Sequence, residues 1–89
     1  MAGIVRHAHA GTLESSDVYV ELAPGDGGIE LELESAVIAQ FGDEIRAAVL
    51  ETLAEQNIDR AWVRLVDKGA LDCVIRARVE TAARRAKGV

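Results

Sequence analysis

The feature that most constrains this fold is a strict alternation of aliphatic and acidic residues over 29–34. The segment reads Ile29, Glu30, Leu31, Glu32, Leu33, Glu34. Because successive side chains of a strand point to opposite faces, this period of two predicts a half-buried strand with one acidic face. We interpret that face as solvated, with docking of a basic partner as the alternative.

A second strand is predicted just before it, over residues 18–22, where Val18, Val20 and Leu22 share one face. The segment between the two strands, residues 24–28, reads Pro-Gly-Asp-Gly-Gly and is the strongest turn signal in the chain. The two strands are therefore predicted to form a β-hairpin.

A helical pattern follows this pair of strands. Apolar residues recur three and four positions apart, at Val37, Ile38, Phe41, Ile45, Val49, Thr52 and Leu53. This spacing predicts one long amphipathic helix. Ser35 is predicted to be its N-cap, and Asn57 is predicted to end it in the left-handed conformation.

The last third of the chain predicts two more strands and a second helix. One strand is expected over 61–66 and another from Leu71 to Val79, joined by a turn at 67–69 into a second hairpin. Cys73 lies in the second of these strands and is interpreted as a small core residue. A short C-terminal helix is expected over 80–87, because its basic residues suit the negative end of a helix dipole.

The order of these elements predicts an α+β fold. We expect a two-layer sandwich, in which a mostly antiparallel sheet of about four strands carries the long helix on one face. The 89 residues fit one domain, 1–89, with residues 1–10 as an N-terminal arm or a short strand. A chain of this length buries roughly 60–65% of its unfolded surface, which leaves little room for an enclosed active site.

Charge and cysteine content narrow the classes of partner. The chain has 15 acidic and 10 basic residues and a net charge of −5, so a phosphate backbone would repel it and no nucleic-acid partner is expected. No apolar run approaches the roughly 18 residues that span a bilayer, so no membrane partner is expected. The one cysteine can form no internal disulfide, which suits a reducing cytoplasm.

The candidate functional residues lie in a polar turn over residues 11–17. Ser15 and Ser16 stand there between Glu14 and Asp17. A serine nucleophile needs a base to take its proton, and flanking carboxylates disfavour an alkoxide, so self-catalysed hydrolysis is not expected. The pattern leaves two interpretations: an ordinary turn, or an exposed serine that a separate enzyme modifies.

The two histidines, His7 and His9, are the other residues with chemical potential. On a strand both imidazoles would point to one face, but two ligands are too few for a metal site of any strength. We interpret them as part of a solvated arm and expect no metal. Nothing in the sequence places either histidine beside Ser15.

Three sequence blocks are more specific than these patterns. They are Ala10-Gly11-Thr12-Leu13-Glu14-Ser15-Ser16-Asp17-Val18, Gln40-Phe41-Gly42-Asp43-Glu44-Ile45-Arg46, and Asp67-Lys68-Gly69-Ala70-Leu71-Asp72-Cys73, the last continuing through residues 75–81. In this order and spacing they closely resemble the acyl carrier (gamma) subunit of citrate lyase. The resemblance extends over about residues 10–86.

The resemblance implies a carrier subunit with no catalytic residue of its own. Members of that family carry a 2'-(5''-phosphoribosyl)-3'-dephospho-CoA group, joined to a serine through a phosphodiester. The family motif matches that serine to Ser15. The adjacent Ser16 is the less favoured attachment point, and Glu14 and Asp17 flank the attachment turn.

The resemblance also implies a set of partners. In the family's reaction the thiol of the group holds an acetyl, which a transferase (alpha) subunit exchanges for citryl. A lyase (beta) subunit then cleaves the citryl thioester to oxaloacetate and regenerates the acetyl carrier. A separate prosthetic-group transferase loads the serine, and the whole system is cytoplasmic.

Several alternatives stay open at this point. The carriers of malonate decarboxylase and citramalate lyase are related candidates, although the block at 67–73 favours citrate lyase. A small ligand-binding or regulatory α+β module is a candidate of another class, since fold alone does not decide function. A stand-alone hydrolase would require a base within hydrogen-bond reach of Ser15.

Overall fold

The computed structural model describes residues 4–35 and 37–88, and the side chains of residues 38 and 39 are left out of that description. In chain order the elements are β1 (Ala8–Gly11), β2 (Val18–Ala23), β3 (Ile29–Ser35), α1 (Ile38–Glu55), β4 (Ala61–Asp67) and α2 (Asp72–Lys87). The predicted α+β class with a four-stranded sheet is confirmed. The strands predicted over 18–22, 29–34 and 61–66 and the long helix are all present.

The pairing of the strands differs from the prediction. The sheet order is β1-β2-β4-β3, so β4 lies between β2 and β3 and the predicted first hairpin is wrong. β2 is antiparallel to both β1 and β4, whereas β3 is parallel to β4. Because β3 and β4 are parallel, the chain must return to the end of the sheet at which β3 begins before it forms β4. The long helix α1 makes this return. The most buried strand, β4, thereby takes a central place and the acidic strand β3 takes an edge.

The second predicted hairpin is also wrong, because residues 72–87 form the single helix α2. The expected strand from Leu71 to Val79 and the expected short helix over 80–87 are mostly two parts of this one helix. Its buried residues recur with a helical period, as Ile75, Val79, Ala82, Ala83 and Ala86. The pattern of residues 71–79 fits both a strand and a helix. Alanine and arginine are strong helix formers, so the composition of this part of the chain favours the helix.

The fourth strand of the sheet is instead β1, at the end of the segment expected to be an arm or a short strand. Residues 1–3 of that segment lie outside the described residues. The backbone N–H groups of Val5 and Arg6 both donate to the carbonyl of Ala86, at 3.0 and 3.2 Å. These bonds tie the segment before β1 to the end of α2.

The core lies between one face of the sheet and the two helices. Both helices and the strands β1, β2 and β4 contribute to one cluster of buried residues, which includes Val20, Leu22, Val49, Leu65 and Val79, and the partly buried Ile29, Leu31 and Leu33 of β3 pack against it. Among the described residues, no helix is long and apolar enough to cross a membrane. The alternating glutamates of β3 are exposed, as predicted.

Three local predictions have mixed outcomes. Cys73 is exposed in the first turn of α2, so its assignment to the core is wrong. The N-cap of α1 is Val37 and not Ser35, although the Ser35 hydroxyl accepts the Val37 N–H at 3.1 Å. Asn57 has a φ of 60°, so its predicted left-handed conformation after the helix is confirmed.

Candidate functional site

The two serines occupy the corner of a tight turn between β1 and β2. The N–H of Asp17 donates to the carbonyl of Glu14 at 3.1 Å, which places Ser15 and Ser16 at the two central positions. Ser16 has a φ of 65°, the positive value that a type II turn requires at its third residue. Both serines are exposed.

The carboxylate of Asp17 holds this turn together. One oxygen, Oδ2, accepts the Thr12 hydroxyl at 2.7 Å and the Arg78 Nη2 at 2.9 Å. The other, Oδ1, accepts the Val18 N–H at 2.7 Å and the Arg78 Nε at 3.1 Å. Thr12 in turn accepts the N–H of Glu14 at 3.2 Å. Both ends of the serine turn are therefore fixed to one side chain, which is anchored on α2.

These hydrogen bonds lower the pKa of Asp17 from 3.8 to about 2. The Thr12 hydroxyl has the largest effect, followed by the Arg78 guanidinium and the Val18 N–H, because each stabilises the charged form. Asp17 is therefore ionised at neutral pH. Its charge is matched by a guanidinium that binds both of its oxygens, the strong geometry for such a pair.

Two backbone hydrogen bonds join the serine turn to the loop after β4. Ser16 donates its N–H to the carbonyl of Lys68 at 2.8 Å, and Lys68 donates its N–H to the carbonyl of Asp17 at 2.9 Å. Asp67 organises that second loop in a similar way, since it accepts the N–H of Ala70 and the hydroxyl of Ser35, both at 2.9 Å. The register that pairs Val18 and Ser35 with Asp67 brings these segments to one end of the sheet.

An apolar cleft of about 380 Å³ opens beside the second loop. It lies between the first half of α1, the loop after β4 and the start of α2. Its lining residues are Val37, Phe41, Glu44, Ile45, Asp67, Gly69, Ala70, Leu71, Asp72 and Ile75. The site as a whole therefore combines an exposed serine turn with an adjoining apolar cleft.

The histidines do not supply a base to the serines. His7 Nε2 lies 2.6 Å from Glu21 Oε2, and the His9 ring lies 5.8 Å from the ring of Tyr19. Both are engaged with β2, and in the described ranges no hydrogen bond joins either imidazole to Ser15. The arrangement does not favour a hydrolase. Within residues 4–35 and 37–88, no group of three or more metal-ligating side chains is present.

Comparisons with a family model and with individual proteins bear on the family of the chain. Residues 5–86 match the family model described as "Malonate decarboxylase delta subunit (MdcD)". The citrate lyase acyl carrier protein of Lactiplantibacillus plantarum is 60% identical over 79 residues, which cover 89% of this chain and 82% of that protein. The citrate lyase acyl carrier protein of Vibrio cholerae serotype O1 is 57% identical over 84 residues, covering 93% and 86%.

The chain belongs to the citrate lyase acyl carrier protein family. The resemblance carried by the three sequence blocks is thereby confirmed. Members of this family are carriers, so the chain is not an enzyme on its own.

The fold of this citrate lyase acyl carrier family member is shared with a solved structure. A chain in the crystal structure of a Pseudomonas malonate decarboxylase hetero-tetramer in complex with malonate superposes with a TM-score of 0.80. The match covers 96% of this chain and 88% of that chain at 22% identity. This likeness concerns the fold.

The structure brings together all four residues that the sequence placed at the attachment turn. Ser15, Ser16, Glu14 and Asp17 lie in one loop, with Asp17 as its anchor and Glu14 contributing backbone groups. Arg78 was not predicted as a site residue, because its segment was expected to be a strand. The cleft was not predicted either, since it depends on how α1 and α2 pack against the loop after β4.

Proposed function

We propose that this chain is the acyl carrier subunit of citrate lyase. In this proposal a 2'-(5''-phosphoribosyl)-3'-dephospho-CoA arm is joined to Ser15 through a phosphodiester. The arm supplies a thiol that carries acetyl and citryl groups between the transferase (alpha) and lyase (beta) subunits in the cytoplasm. The observation that carries the proposal is the exposed position of Ser15 at the corner of a hydrogen-bonded turn, in a member of this carrier family.

The geometry favours Ser15 over Ser16 as the attachment point. Ser16 fills the third position of the turn with a positive φ, and its N–H is bonded to the loop after β4. The backbone of Ser16 therefore has a structural role that the backbone of Ser15 lacks. In the described ranges neither serine makes a hydrogen bond through its hydroxyl, so the choice of Ser15 rests on this backbone difference and on the family motif.

The electrostatics of the turn are compatible with a phosphodiester. That group adds a negative charge beside Glu14 and Asp17. The Asp17 charge is neutralised by Arg78, with the two nitrogen–oxygen distances at 2.9 and 3.1 Å. Glu14 is exposed, so solvent and salt screen its charge.

The lack of a base near Ser15 fits loading by a separate prosthetic-group transferase. A serine that another enzyme modifies needs accessibility and a fixed backbone, and both are present here. The carrier then works by proximity. A short flexible tether gives its bound group an effective concentration of about the millimolar range at each partner site.

Intact-mass analysis tests this proposal directly. Protein from cells that make the lyase and its prosthetic-group transferase should carry the mass of the arm, and the same protein made without that transferase supplies the reference mass. We expect Ser15→Ala to have the bare mass. Ser16→Gly should keep the adduct, because glycine suits the positive φ at that position.

Two results would contradict the proposal. One is bare mass for the native protein from cells with an active lyase, which is also what a ligand-binding or regulatory module predicts. The other is an adduct that persists in Ser15→Ala, which would move the attachment site.

A carrier role in malonate decarboxylase is the second candidate, because the matching family model is described by a subunit of that system. The mass of the arm does not separate the two, since both systems use the same kind of group. Reconstitution does: the loaded chain should restore citrate cleavage to carrier-free citrate lyase subunits and should fail to restore malonate decarboxylation. The opposite pattern would favour the second candidate.

A further inference from the structure

The apolar cleft beside the serine turn leaves large hydrophobic side chains open to solvent at its mouth. Phe41 is 47% exposed and Leu71 is 70% exposed, and they stand on opposite sides, on α1 and on the loop after β4. Ile45 and Ile75 form the buried part of the wall. A cleft of about 380 Å³ with these walls is the size of a small-molecule site.

The cleft adjoins the serine turn through a direct hydrogen bond. Ser16 is held by the carbonyl of Lys68, and the next three residues along the chain, Gly69, Ala70 and Leu71, line the cleft. With consecutive Cα atoms 3.8 Å apart and about 5.5 Å between hydrogen-bonded residues, this path places Ser15 within roughly 13 Å of the cleft wall. An arm attached to Ser15 needs only to fold back over Lys68 to enter.

The polar groups of the cleft are acceptors. Among the described residues that line it, none carries a positive charge and three carry carboxyl groups, Glu44, Asp67 and Asp72, of which Asp72 is paired with Arg76 at 2.7 Å. Asp67 is only 2% exposed and takes one hydrogen bond on each oxygen. Because a carboxylate has about four lone-pair sites, Asp67 keeps acceptor capacity for a further donor.

We propose that this cleft holds the thiol-bearing pantetheine end of the arm, and that it does so when the thiol is free or acetylated but not when it carries a citryl group. The inference rests on the proposed function. Methylene groups and an acetyl methyl match the apolar walls, and the amide N–H groups of pantetheine match the carboxylate acceptors. A citryl group would bring its own carboxylates against Glu44 and Asp67, and like charges at short range repel.

A weak intrinsic affinity is sufficient for such a site. A tethered group has an effective concentration in the millimolar range, so a dissociation constant about tenfold lower keeps the cleft occupied about nine-tenths of the time. The thioester or thiol is then sheltered between turnovers. Arrival of the charged acyl group releases the arm toward the next partner.

Titration of unmodified protein with free pantetheine tests the cleft without the covalent arm. Amide resonances of Phe41, Gly69, Ala70 and Leu71 in the ¹⁵N-labelled protein should shift and saturate at millimolar concentrations. S-acetylpantetheine should behave alike, whereas S-succinylpantetheine, which carries a carboxylate, should bind about tenfold more weakly. Unmoved cleft amides, or equal binding of the carboxylated compound, would overturn the proposal.

Leu71→Asp is the matched variant for this titration. Its side chain is largely exposed, and it stands at the N-cap of α2, where aspartate is a favoured residue, so the fold should persist. Leu50→Asp adds the same charge at a 41% exposed leucine of α1 that does not line the cleft. We expect only Leu71→Asp to weaken pantetheine binding. Equal binding by both variants would contradict the assignment.

The loaded carrier provides a second readout, in a Cys73→Ala background, because Cys73 is exposed and would also react. After intact mass has verified the arm, its thiol should react with the neutral reagent iodoacetamide about tenfold more slowly than free pantetheine. Leu71→Asp should remove this protection and Leu50→Asp should keep it. A missing adduct would overturn the proposed function and leave the titration as the test of the cleft, whereas an adduct with an unprotected thiol would overturn the cleft assignment alone.

Discussion

Two neighbouring loops at one end of the sheet are each organised by one aspartate, but in different ways. In the serine loop, residues 12–17, the carboxylate of Asp17 takes four hydrogen bonds, two of them from the guanidinium of Arg78. In the loop after β4, residues 68–71, the nearly buried Asp67 takes two hydrogen bonds, both from neutral donors. The first loop is a neutralised anchor for an exposed serine. In the second loop, the Asp67 carboxylate can still accept a hydrogen bond from a group in the cleft.

The largest expected effect concerns the glycines of the two loops. Gly11, which leads into the serine loop, has a φ of 90°, and a Cβ there would lie 1.8 Å from the carbonyl oxygen of Val18. Gly69, in the other loop, has a φ of 94° but no atom within 4 Å of a Cβ. Gly11→Ala should lower the free energy of unfolding by about 3–4 kcal/mol, from backbone strain and overlap together.

Gly69→Ala is the matched variant. It should lower the free energy of unfolding by only about 1–2 kcal/mol, from backbone strain alone. Urea unfolding of both variants against the parent measures the difference. Equal losses would show that the close approach at Gly11 is relieved without cost, and would remove this contrast between the loops.

Asp17→Asn should have the next largest effect, a loss of about 1–2 kcal/mol in the free energy of unfolding at neutral pH. An amide places a donor group against the Arg78 guanidinium, so at least one of the paired hydrogen bonds is lost. Asp67→Asn should cost less, because its amide oxygen still accepts the Ala70 N–H and its NH₂ group can donate to the Ser35 hydroxyl.

The contribution of Asp17 should also depend on pH. Its pKa is about 2 in the folded chain against an ordinary 3.8, so the unfolded chain binds the proton first as the pH falls. The stability difference between the parent and Asp17→Asn should be constant above about pH 5 and shrink between about pH 4 and pH 2. Urea unfolding at a series of pH values measures it. A difference that is unchanged at pH 3 would contradict the role of the Asp17 charge.

Arg78→Lys should have a smaller effect, and mainly on loading. Lysine is a point charge and cannot bind both carboxylate oxygens as a planar guanidinium does. The free energy by which this contact stabilises the turn should therefore fall by about 1 kcal/mol. The prosthetic-group transferase should then load Ser15 a few-fold more slowly, as measured by the time course of the intact mass. Arg76→Lys is the control, because Arg76 bonds Asp72 and Glu51 instead of the serine loop. An equal slowing in both variants would separate loading from the Asp17 anchor.

Ser16→Gly is expected to have the smallest effect. Relief of the positive φ and the greater freedom of glycine in the unfolded chain oppose each other, so the free energy of unfolding should change by less than about 1 kcal/mol. Thermal unfolding followed by circular dichroism is the measurement. A large loss would show that the Ser16 side chain supports the turn.

The sequence predicted the elements of the fold better than their pairing. The alternation at 29–34 and the apolar stripe from Val37 to Leu53 each have one dominant period, so β3 and α1 were predictable. Strand pairing depends on which strand is most buried, and the turn at 24–28 gives no information on that. The segment from Leu71 to Val79 fits both periods, and the packing of small alanines further along α2 decided for helix.

The candidate site was likewise predictable where its residues are adjacent in sequence and unpredictable where they come from distant segments. The four turn residues from Glu14 to Asp17 were predictable because they are adjacent in sequence and match a family motif. Arg78 comes from 61 residues further along the chain, and its contact with Asp17 exists only once α2 is a helix. The cleft has no local signature, since its walls come from α1, the loop after β4 and α2.

The sheet register also separates the two ends of the molecule. The register that groups Asp17, Ser35 and Asp67 at one end of the sheet places Ala23, Ile29 and Ala61 at the other. The exposed Asp26, in the loop between β2 and β3, therefore lies far along the strands from the serine turn. A fluorophore or an affinity tag introduced there would leave the serine turn and the cleft uncovered.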